Sequence, residues 1–164
     1  MMARQVRVFL PVEADGSALA TVFACDPAKW LPSPRRDRND PTFAIPVHAG
    51  SIERTVRTDV GEAWQRGTTW WRAIAWDPVS DTGESGGVNR FLPSFRGELG
   101  LHTSDDAHTT LILDGEYDPP GGVVGTAVDA VGLRRVARST MTRFAADVAQ
   151  QLIAVTKTVR NDCR

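Results

Sequence analysis

Ala107–Thr158 reads AHTTLILDGEYDPPGGVVGTAVDAVGLRRVARSTMTRFAADVAQQLIAVTKT, joining a strand, a tight corner and a long helix without interruption. His108 to Tyr117 is rich in β-branched and apolar residues, with Thr109, Leu111, Leu113 and Tyr117 on one face of a two-residue period. The other face carries Thr110, Asp114 and Glu116 and is predicted to meet water, Ile112 being the exception. Asp118-Pro119-Pro120-Gly121-Gly122 then ends the pairing, because two prolines remove ladder donors and the glycines permit a sharp change of direction.

Past the corner, Leu133, Val136, Ala137, Met141, Phe144, Val148, Leu152 and Val155 recur at steps of three and four. Arg134, Arg135, Arg138, Arg143, Asp147 and Gln151 occupy the other side, so the spacing predicts an amphipathic helix from about Val123 or Val128 to about Thr158. At ~1.5 Å per residue it would be about 45 Å long, more than a small sheet needs. Gly125 and Gly132 weaken its first turns or let it approach the sheet closely.

Upstream, Gln5 to Val12 alternates as a first strand, and Ser17 is a plausible N-cap for a short helix through Leu19, Val22 and Phe23. Asp26-Pro27 starts a second helical turn near Trp30, which Pro32 and Pro34 stop. Arg35, Arg36 and Arg38, with Asp37 and Asp40, read as a solvated loop. Strands follow at Thr42–His48, with Pro46 marking an edge or bulge, and at Ile52–Val60. Gly61–Gly67 turns, Thr68–Trp76 is the most aromatic strand, Asp77–Val88 is a hairpin loop, and Phe91–His102 returns, bulged at Pro93 or Gly97. Hairpin-joined strands with one helix across a face make an α+β domain with room for a cavity between the layers.

The chain has 164 residues, 41% of them hydrophobic, which sets one domain with a real core. The 19 basic and 20 acidic residues give a formal charge of -1 and no reason to expect a nucleic-acid partner. The arginines of the last helix lack interleaved aromatics and read as a solvated face. Cys25 and Cys163 lie far apart and are expected as free thiols in a reducing cytoplasm. Pro11, Glu13 and Asp15 break up the only apolar start, and no run approaches a membrane span.

In Trp76-Asp-Pro, Phe91-Leu-Pro-Ser-Phe-Arg-Gly-Glu-Leu, Leu111-Ile-Leu-Asp-Gly-Glu-Tyr-Asp-Pro-Pro-Gly-Gly and the helix with Asp129 and Arg135-Val-Ala, the chain resembles the START-like (SRPBCC) superfamily. That superfamily includes the polyketide cyclase/dehydrase and lipid-transfer proteins. The resemblance implies a helix-grip fold, with a curved antiparallel sheet of about six or seven strands wrapped around a long C-terminal helix. Short helices would follow the first strand. It implies a single domain over 1–164, with about 159–164 as a tail, and a cavity for an apolar or amphipathic small molecule. No position matches a catalytic motif of the superfamily.

Two phases are open for the aromatic strand. With even positions inward, Trp70, Ile74 and Trp76 line the cavity and Arg72 sits among them as a cation able to hold a carboxylate, partnered by Glu98, Glu116 or Asp114. With odd positions inward, Trp71, Ala73 and Ala75 face in. His48, His102 and His108 show no metal spacing, so neither metal nor cofactor is expected. The expected ligand cavity is lined by Leu111, Leu113 and Tyr117 from the sheet, Trp71 or its neighbours Trp70 and Arg72, and Met141, Phe144 and Val148 from the helix. The leading expectation is a cytoplasmic carrier or binding protein. A cyclase or dehydratase using Arg72, His102, Glu98 or Tyr117 is the alternative, and an interaction module whose long helix docks on a partner or forms a homodimer is the third.

Overall fold

The computed structural model describes residues 3–36, 38–78, 92–105, 107–118 and 127–162. The proline-glycine corner at 119–122, the glycine-rich part of the expected hairpin loop and Cys163 lie outside them. Among these residues eight strands form one antiparallel sheet: β1 (Arg4–Val12), β2 (Arg35–Arg36), β3 (Phe43–Ala49), β4 (Ile52–Val60), β5 (Trp64–Arg66), β6 (Thr69–Pro78), β7 (Ser94–Asp105) and β8 (His108–Asp118). Their order is β1-β8-β7-β6-β4-β3-β2, with β5 pairing β6 beyond the end of β4. Helix α1 (Gly16–Ala24) and a 3-10 turn (Pro27–Lys29) follow β1, and α2 (Ala127–Asp162) closes the described chain.

The sheet curves around α2, which packs on β1 and β8 at one end of the strand order, on β3 near the other, and on α1. The helix therefore bridges the open side of the sheet. Alternation drives this: Val6 and Val8, Phe43 and Ile45, Ile74 and Trp76, Leu99 and Leu101, and Leu111 and Leu113 are all buried on one face. Against them α2 lays Ala137, Met141, Phe144, Val148 and Leu152, the stripe predicted from its period. At the centre, Trp76 stacks on Phe95 at 4.7 Å and meets Phe144 at 5.0 Å, while its Nε1 donates to the Pro93 carbonyl at 3.1 Å.

Several local expectations are corrected. Asp15, not Ser17, caps α1: its Oδ1 accepts from the Ser17 and Ala18 backbone N–H groups, so Ser17 already lies in the first turn. The Gly61–Gly67 turn contains β5, and only Gly67, at φ 61°, makes the reversal. Between the pairs Val60–Ile74 and Trp64–Trp71, residues 61–63 oppose only Arg72 and Ala73, which makes a bulge. Strand β7 is continuous at Gly97 and shifts register at Thr103/Asp105 instead. Pro46 sits inside β3, beyond the reach of the two-residue β2, so its missing N–H costs no pairing on that side. Helix α2 runs through Asp162, past the expected end near Thr158.

Candidate functional site

Even positions of β6 face inward, which settles the two open phases. Arg72 is 5% exposed and its charge meets backbone carbonyls rather than a carboxylate. Nε donates to Phe23 O at 3.0 Å, one terminal nitrogen to Ala24 O and Cys25 O at 3.0 and 2.8 Å, and the other to Gly61 O at 2.7 Å. The first three are the orphan acceptors at the end of α1, where the helix dipole favours a cation. The fourth is presented by the bulge. Burial pushes the guanidinium below its usual range, while Asp26, Cys25 and Glu62 act in the opposite direction. Glu98 and Glu116 are exposed on the other face of the sheet, and Asp114 is engaged there by Arg7 at 2.6 Å. Arg72 thus serves as the clamp between α1 and the sheet.

Leu111, Leu113, Met141 and Val148 are 0% exposed, Phe144 2% and Tyr117 5%, all in the sheet–helix layer. A side chain bordering a hollow wide enough for water would keep surface that water could touch, so the first four are close-packed. Trp70 is half-buried on the inner side. Trp71 lies on the outer face, over Gly100 and stacked on Trp64 at 6.0 Å, in one cross-strand row with Ile112 and the exposed Phe9. A Cβ at position 100 would come within 2.6 Å of the Trp71 ring, so glycine is what lets the indole lie flat there. His102 is also on the outer face, bonded through Nδ1 to Thr69 Oγ1 at 2.8 Å, and His48 and His108 pair with Glu53 and Asp105. Among the expected acid–base candidates, His102 and Glu98 are therefore directed away from the sheet–helix layer.

Where the seam between β1 and α2 opens, there is a cleft of about 440 Å³. Val6 and Tyr117, both nearly buried, contribute apolar surface, and Arg4, Arg7, Arg134 and Arg138 contribute positive charge. Arg134 and Arg138 are one turn apart on α2 and so share a face. β1 is an edge strand, which leaves alternate backbone groups beside the cleft without ladder partners. The arrangement joins an apolar base to a cationic rim, the chemistry that suits an amphipathic molecule. The sequence reading took Arg134 and Arg138 as part of a solvated helix face and gave Arg4 no role. One signal was available: Arg4 shares the two-residue phase of Val6 and Val8, so β1 turns it toward the helix.

Neither a protein-family model nor a curated protein matches the chain. Solved structures do. The Zhui aromatase/cyclase from Streptomyces sp. R1128 superposes with a TM-score of 0.57 at 13% identity, over 95% of this chain and 94% of that one. A protein from Thermus thermophilus gives 0.58 at 10% identity, over 92% and 98%. Norcoclaurine synthase from Thalictrum gives 0.52 at 9%, over 93% and 96%. The fold is the START-like helix-grip fold. At such identities the likeness establishes architecture, and chemistry has to be argued from the side chains of this chain. In this helix-grip domain the central sheet–helix layer is occupied by Trp76, Phe95 and Phe144, and the cleft lies at its β1 margin.

Proposed function

We propose that the chain binds a small amphipathic molecule at the seam between the sheet and α2, as a carrier or binding protein. The observation that supports this most is the β1–α2 cleft: its volume of about 440 Å³ falls in the range of about 300–1,000 Å³ usual for small-molecule sites. Its walls combine Val6 and Tyr117 with a cationic rim. Burial of the ligand's apolar part, at about 25 cal/mol per Å², would add to the attraction of the cationic rim. The residues first expected to line a central cavity, Leu111, Leu113, Met141, Phe144 and Val148, would act as the packed wall behind this site, with Tyr117 at its edge. A reducing, cytoplasmic setting suits the free Cys25 thiol.

Catalysis on the same scaffold is the weaker reading, because Arg72 is engaged by four carbonyls and Tyr117 alone of the acid–base candidates borders the cleft. Self-docking through the outer face of α2 would bring Arg134, Arg135, Arg138 and Arg143 of two copies together, and like charges oppose that. The test is native mass spectrometry of freshly purified protein, followed by solvent extraction. A discrete bound mass with an apolar body is the expected result. A clean unliganded mass that also resists saturation with a panel of fatty acids, sterols and aromatic polyketides would overturn the proposal.

A further inference from the structure

The four arginines around the β1–α2 cleft assign the chemical class of what it holds. Resting on the binding function proposed above, we infer that the ligand carries an anionic group, a carboxylate or a phosphate, clasped by Arg4, Arg134 and Arg138. Among the described residues seven line the cleft, four of them arginine and none acidic, in a chain whose formal net charge is -1. Composition alone does not produce such a concentration. Only Arg7 has a carboxylate partner among the described residues, Asp114 across the strand pair, so three cations face the cleft unneutralised.

A second hollow, of about 500 Å³ on the outer side of the sheet, gives the contrast. It balances Arg57 and Arg96 with Asp59 and Asp77, and Arg57 also pairs with Asp40 at 3.6 Å. Like charges gathered on a concave, low-dielectric wall reinforce one another's field and draw an anion in. Guanidinium groups grip carboxylate and phosphate oxygens through parallel N–H donors, a geometry that a neutral hydroxyl cannot match. Val6 and Tyr117 beneath them would take the first part of the apolar body.

Calorimetric titration with dodecanoate, dodecanol and inorganic phosphate tests this on the whole chain, using the wild type, the R134Q/R138Q double variant and R143Q. All three substituted arginines are exposed, so the variants should keep the wild-type melting temperature. Arg143 pairs with Asp147 and does not line the cleft, which makes it the control for a general loss of charge. The expected result is dodecanoate binding at least about tenfold tighter than dodecanol, a preference abolished in R134Q/R138Q and kept in R143Q. Equal binding of the acid and the alcohol by the wild type overturns the anion inference and leaves the binding function standing. So does a loss in R143Q as large as in the double variant. Inorganic phosphate binding while neither dodecyl compound binds keeps the arginine site and overturns the amphipathic ligand. No heat with any of the three overturns both.

Discussion

Arg72 offers its guanidinium to four carbonyls, three of them consecutive at the end of α1. Arg72→Met would leave all four acceptors without the guanidinium, the Phe23 carbonyl buried and the other three partly buried, and is expected to cost about 2–5 kcal/mol in urea denaturation. Arg72→Lys should fall between, since one ammonium cannot reach four acceptors in this fork. A loss below about 0.5 kcal/mol for the Met variant would mean that water replaces the clamp. Thr58 presents the opposite case: its hydroxyl is buried with no protein hydrogen-bond partner among the described residues. Thr58→Val keeps the shape and removes the orphan, so the melting temperature should rise by about 2–4 °C for each kcal/mol recovered. A fall would reveal a partner for the hydroxyl. The carboxylates of Asp40 and Asp105 are held below their usual range, the first mainly by the Thr42 hydroxyl and the second mainly by the Ala107 N–H. A folded-state pKa below the unfolded one adds stability that is present above about pH 4 and disappears as pH falls through the folded value. The D40N/D105N variant should therefore lose less melting temperature than the wild type between about pH 6 and about pH 3.

At the scale of elements, α2 tolerates improvement where it is not packed. A Cβ added at Gly132 meets nothing within 4 Å, so Gly132→Ala should stabilise the protein by about 0.5–1 kcal/mol, measured by thermal unfolding. Destabilisation would show that the helix needs a glycine there for a close approach. Helix α2 and strand β8 were legible in the sequence because each repeats one period without interruption, and the buried stripe from Ala137 to Leu152 matches that reading. Strand β6 was legible as a strand but not in its phase, because Trp70 and Trp71 put aromatic surface on both faces. Its phase is fixed by carbonyls 47 to 49 positions earlier in the chain, and no local pattern carries that information. The bulge at 61–63 was missed for a related reason: Gly61 reads as a turn signal, but its role is to aim a carbonyl at Arg72.

On the scale of the whole molecule, a helix bridging the two ends of a curved sheet makes a closed layer with margins, and the candidate site lies at one margin. The sequence reading placed the ligand between sheet and helix, and the proposed cleft belongs to that seam. It could not separate a packed centre from an open edge, because Leu111, Met141 and Phe144 have the same apolar signature in either role. Nor could it bring Arg4 to Arg134, since that meeting depends on the path of α2 across the sheet rather than on either local sequence. The measurement that tests the account most directly is amide chemical-shift mapping of the isotopically labelled protein during titration with dodecanoate. The account predicts the largest shifts at Arg4–Arg7, Tyr117 and Arg134–Arg138, at the seam itself. Shifts confined to the outer row of Trp64, Trp71 and Phe9, or no shifts at saturating dodecanoate, would contradict it.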